Sequence, residues 1–185
     1  VLTWLYGLLD GIFLSVLGAV DAVIPGLHSL ADALRTIGVG PFELLVLPNG
    51  GLGINQAFIL VANGGITTHP DMGRASLGEA PMDSSVLALN PQTGEVLQRW
   101  ALQDTRLSLR HMALHPSGVV GVAMQSQHKS AELQNKAPVL ALLDAHGLRT
   151  VEGSAGVKGY AGDISATSDG FAISCTKNDS MARFE

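Results

Sequence analysis

Glu43, Arg110, His111 and Asp163 are the residues of this chain best suited to gather into one chemical site. An imidazole and two carboxylates are hard-to-borderline donors that suit iron, zinc or manganese. A guanidinium beside them would bind an anion or hold one of the carboxylates. His69, Asp71 and Arg74 form a second polar group within a long stretch that separates apolar segments. They could bind an anion or orient a ligand, although Asp71 and Arg74 could equally pin the loop while Pro70 fixes its shape. Tyr160 precedes Asp163 by three positions and brings a phenol, an iron ligand in some settings and more often a packed ring. The plain structural alternative for Glu43, Arg110 and Asp163 is turn capping and ion pairing.

These residues are far apart in the chain, so only the fold can bring them together. The fold signal is a repeat. An apolar strand, a turn closing on glycine, a second strand, a variable loop, a third strand and an Asx-containing turn recur from Phe42, from His111 and, in shortened form, from Asp163. The turn glycines Gly50, Gly118 and Gly170 lie 68 and 52 residues apart. Repeats of that length built from short strands predict β-propeller blades. The expected fold is all-β, a propeller fragment of about two to three four-stranded antiparallel blades. The blades are expected over 37–100, 101–153 and, in part, 154–185. Phe42-Glu43, Arg110-His111 and Gly162-Asp163 then stand just before the strands that begin at Leu44, Met112 and Ile164. Equivalent positions in successive blades converge on the mouth of the central channel, where polar groups make ligand sites.

Composition narrows the function classes. Charged residues make up 15% of the 185-residue chain, the formal net charge is −5 and there are 22 glycines. No basic stripe exists, so nucleic acid is not an expected partner. Cys175 is the only cysteine, which excludes an internal disulfide and a thiolate metal cluster. The phosphate loop, the His-Glu-x-x-His zinc motif and the Gly-x-Ser-x-Gly elbow are all missing. The loop 126–137, with His128, Lys129, Glu132 and Lys136, reads as solvated.

Residues 1–36 do not fit the repeat. Residues 1–20 are apolar except for a few positions that include Asp10, long enough to span a bilayer, with Gly7, Gly11 and Ser15 at the small-residue spacing of packed membrane helices. Against membrane association stand the mid-segment carboxylate and the lack of Lys or Arg before Arg35. A buried apolar segment of a larger fold is the favoured reading. The shortened third repeat leads us to expect a piece of a longer ring, because each blade needs a neighbour on both faces.

The stretch Val61-Ala62-Asn63-Gly64-Gly65-Ile66-Thr67-Thr68-His69-Pro70-Asp71-Met72-Gly73-Arg74 is long and unusual. With Gly40-Pro41-Phe42-Glu43-Leu44, Leu109-Arg110-His111-Met112 and Gly159-Tyr160-Ala161-Gly162-Asp163, it resembles the bacterial family of domain of unknown function 1513, over about residues 38–185. The resemblance implies a seven-bladed β-propeller exported to the periplasm and encoded beside iron-uptake and imelysin-like genes. It implies no reaction. The expected function is a non-enzymatic binding or scaffold component linked to iron acquisition, with iron-uptake proteins, a small molecule or a metal as partners. No cofactor is assigned. The rival is a metal-dependent propeller enzyme, similar to lactonases or dehydrogenases, working at the channel mouth. Phe42 departs from the family's Gly-Pro-His-Glu-Leu pattern and removes one polar ligand, and the segment before residue 30 does not match the blade expected there.

Overall fold

In the computed structural model, the described residues are 43–66, 82–153 and 157–185, and they form three antiparallel sheets. The first holds β1 (Glu43–Leu47), β2 (Phe58–Asn63), β3 (Ser85–Leu89) and β4 (Val96–Trp100), paired in chain order. The second repeats this order with β5 (Leu107–Leu114), β6 (Val120–Ser126), β7 (Leu140–Asp144) and β8 (Gly147–Thr150). The third comprises β9 (Ile164–Ala166), β10 (Phe171–Cys175) and β11 (Ser180–Phe184). The all-β expectation therefore holds, with four strands in two sheets and three described in the third.

Local chemistry sets the turns. Gly118 sits at φ 88° in the β5–β6 hairpin, a conformation costly for any side chain. Asn90 Oδ1 accepts the backbone N–H groups of Gln92 and Thr93 at 2.8 and 3.1 Å, folding the chain between β3 and β4. Asp144 plays the same part between β7 and β8 by accepting from His146 N–H at 2.8 Å.

The sheets stack face on face through two apolar clusters. Phe58, Leu60 and Ala62 of β2 meet Leu107, Leu109, Val122 and Met124 of the second sheet. On the other side of that sheet, Ala123 and Leu140 meet Ile164, Phe171, Ile173 and Cys175 of the third. β6 is thus buried on both faces, which explains why it reads as a continuous apolar run rather than an alternating one. Gly121 sets the spacing. A Cβ there would lie 2.6 Å from the Phe171 ring and 2.9 Å from Ile164 Cδ1, so only glycine admits the third sheet at this distance. Ile59 and Val61, on the far face of the first sheet, are also fully buried and belong to neither cluster.

The stretch 126–137, read as solvated, carries a short and mostly exposed helix, α1 (Ala131–Lys136), whose N-terminus is capped by the Ser130 hydroxyl accepting from Leu133 N–H. The apolar segment 1–36 lies outside the described residues. Among those described, no helix is long and apolar enough to cross a membrane.

Candidate functional site

β5 carries an irregularity that the alternation of its sequence encodes. Leu109 pairs with Met124 and Met112 pairs with Val122, so Arg110 and His111 together oppose only Ala123. Two residues facing one is a β-bulge, which bends the strand and redirects the side chains at that point. Arg110 and His111 were expected just ahead of their strand; they sit inside it, at this bulge. The two side chains part company there. Arg110 lies against the first sheet, where a Cβ on Gly64 would be 3.3 Å from its Nε. His111 reaches toward the third sheet, with Nδ1 4.0 Å from Asp163 Oδ1.

Asp163 stands one residue ahead of β9. Its Oδ1 accepts from Ile164 N–H at 2.8 Å and its carbonyl oxygen accepts from Ser174 N–H at 3.0 Å, so its backbone is fixed while its carboxylate faces water. The His111 and Asp163 side chains are 43% and 77% exposed. At that exposure and separation their mutual attraction contributes little to stability.

A polar row surrounds the bulge. Ser108 Oγ donates to the Gly64 carbonyl at 2.8 Å, and Ser84 Oγ accepts from Leu109 N–H at 2.9 Å. Both bonds stitch the first sheet to the second. Within the first sheet, Asn63 fixes the chain that makes these bonds by donating from Nδ2 to the Asp83 carbonyl and accepting Gly65 N–H on Oδ1. Gly65 has φ 70° and lies so close to the Ser84 backbone that a Cβ would collide with it. The Asn63-Gly64-Gly65 part of the distinctive stretch therefore has a structural explanation. Further along the row, Ser108 pairs with Gln125, Gln125 bridges to Tyr160, and Gln125 Nε2 donates to the Ala161 carbonyl at 2.8 Å. The Tyr160 ring is half-buried beneath Lys177 Nζ, 4.3 Å from the ring centroid, a cation–π contact. Sequence reading overlooked Lys177 because the short 3-10 turn Thr176–Asn178 that carries it follows a strand with no polar motif.

Glu43 opens β1 opposite Ala62, next to Asn63, so its backbone lies at the same end of the stack as Ser108 and Asp163. His69, Asp71 and Arg74 lie outside the described residues. The base of their loop is defined: Asp83 N–H bonds the Gly65 carbonyl at 3.4 Å, beside Ser108 and Arg110. Among the described residues, no group of three or more His, Cys, Asp or Glu is placed to hold a metal ion.

A second cluster joins Ser126, His128 and Asp104. His128 Nδ1 is 2.8 Å from Ser126 Oγ, and Nε2 is 3.2 Å from Asp104 Oδ2. The three residue types are those of a nucleophilic triad, but Ser126 is only 6% exposed. Its backbone N–H bonds the Gly159 carbonyl and its hydroxyl also accepts from His128 N–H. This cluster fastens the α1 segment to the Asp104 turn; it presents no nucleophile.

The chain belongs to the family described as protein of unknown function (DUF1513), whose model matches residues 15–185. The match reaches further toward the N-terminus than the resemblance beginning near residue 38. No curated protein and no solved structure matches the chain.

Proposed function

We propose that this member of the family is a non-enzymatic binding or scaffold component, a β-propeller of the exported, periplasmic type that serves iron acquisition. Each of the three sheets is read as one blade of a ring. The repeated meander, the face-to-face stacking and the gathering of equivalent loops at one end of the stack support that reading. The observation that carries the site is the approach of His111 and Asp163, from successive sheets, to 4.0 Å at an exposed end. Arg110 flanks them, Tyr160 and Lys177 lie along the same row, and the loop bearing His69, Asp71 and Arg74 springs from beside it. Imidazole, carboxylate and phenol are groups that meet ferric iron or a ferric chelate.

The test is calorimetry of the full-length protein with ferric citrate and with haem, for the parent and for a variant combining His111→Ala and Asp163→Ala. Binding by the parent and at least about a tenfold loss in the variant is the expected outcome. Equal affinity in both would remove this site. The rival reading, a metal-dependent enzyme, draws on the same pair, since a bound Zn²⁺ or Ca²⁺ with an open position could activate water. Elemental analysis of the purified protein separates the two, because a stoichiometric divalent metal bound by His111 and Asp163 favours catalysis.

A further inference from the structure

We propose that a pocket at the opposite end of the stack, between the second and third sheets, binds a small neutral aromatic molecule carrying a hydroxyl group. β5 runs from Leu107, next to the Ser108 that bonds Gly64, to Leu114, and the turn that follows lies beyond His111 at the other end of the strand. Between this turn and the corresponding one before Phe171 lies a pocket of about 200 Å³. Its walls are Val119, Leu142, Val151, Phe171 and Phe184, and its polar residues are His115, Ser117, Asp169 and Glu185.

Size fixes the class of occupant. An apolar cavity of roughly 150 Å³ takes benzene, so this volume takes a substituted benzene. It falls short of the roughly 300–1,000 Å³ that larger organic ligands need. One wall is rigid, because Phe171 is held against Gly121 and its ring meets His115 at 5.9 Å between centroids, tilted by 60°.

Charge at the mouth then selects among aromatics. Asp169 and Glu185 share a single cation, with Arg183 Nη2 2.5 Å from Asp169 Oδ2 and Arg183 Nε 3.7 Å from Glu185 Oε1. Among the described residues, two carboxylates against one guanidinium leave the rim negative. It repels an organic anion and accepts an O–H donor. His115 Nδ1 is taken up by its own turn, accepting from Ser117 N–H at 3.1 Å and lying 2.7 Å from Ser117 Oγ. Its Nε2 is closed off from solvent, so the imidazole serves as wall rather than as a partner for the ligand. A phenol offers an O–H to the carboxylates and brings no charge of its own.

The experiment titrates 4-methylphenol and its anionic counterpart 4-methylbenzoate into the full-length protein. Binding is read from the methyl resonances of Val119, Leu142 and Val151. Saturable shifts with the phenol, and at least about tenfold weaker binding of the benzoate, are expected. Val151→Phe fills the pocket and abolishes the shifts at Val119 and Leu142. Leu142→Ala enlarges it and makes 2-naphthol bind more tightly than to the parent, which decides the matter if the first variant misfolds. No saturable shift in the parent, equal affinity for the benzoate, or unchanged phenol binding by a folded Val151→Phe variant would overturn the proposal.

Discussion

Ser108 shows how one buried hydroxyl can explain an otherwise puzzling run of sequence. It is fully buried and its bond to the Gly64 carbonyl spans two sheets. Removing it leaves the half-buried Gly64 carbonyl without that partner, and a lost buried partner costs about 1–3 kcal/mol. Ser108→Ala should therefore lower unfolding stability by that amount in urea denaturation, with the slope unchanged. Asn63, Gly64 and Gly65 stand out in the sequence, but their purpose was not legible there. Their partners are Asp83, Ser84, Ser108 and Arg110, at least 18 residues away in the chain. His111 and Asp163 were singled out with Glu43 and Arg110 because they occupy equivalent places in successive repeats, and these two lie 4.0 Å apart. Lys177 was not, since its contact is with the face of a ring and needs no sequence pattern.

Among the elements, β5 and β11 teach most. The apolar phase of β5 shifts from Leu107 and Leu109 to Met112, yet all three fall in one cluster. An odd step between residues of the same face requires an extra residue, so the bulge was written in the sequence for a reader who tracked the phase. Strand β11 depends on a turn carboxylate. The Thr167 hydroxyl and then the Arg183 guanidinium hold Asp169 below the usual carboxylate range. A folded-state pKa below the unfolded one means that this stabilisation is present above the unfolded value and is lost as pH falls through the folded one. Asp169→Asn should consequently be less stable than the parent at neutral pH. The difference should vanish in strong acid, as followed by thermal unfolding across the acidic range. A difference that persists in strong acid would show that packing, not charge, ties β11 down.

At the scale of the whole molecule, the spacing between sheets rests on small residues. Gly121→Ala would drive a methyl group into the Phe171 ring, an overpacking that typically costs about 1–3 kcal/mol. Pairing it with Phe171→Leu should recover part of that loss, giving a coupling energy measurable by a double-mutant cycle. The all-β class and the strand-turn rhythm were readable from glycine and Asx turns. The stacking distance was not, because nothing local distinguishes a glycine that frees the backbone from one that makes room. Residue 121 is the second kind, Gly118 the first.

The double burial of β6 has a cost before folding is complete. Val119-Val120-Gly121-Val122-Ala123-Met124 is an uncharged, proline-free window rich in β-branched side chains. Until sheets close over both of its sides, it is a sticky segment able to pair with the same segment of another nascent chain. A holding chaperone or a lowered synthesis rate should therefore raise the soluble yield, measured against the same chain expressed without either, more than any change at the surface.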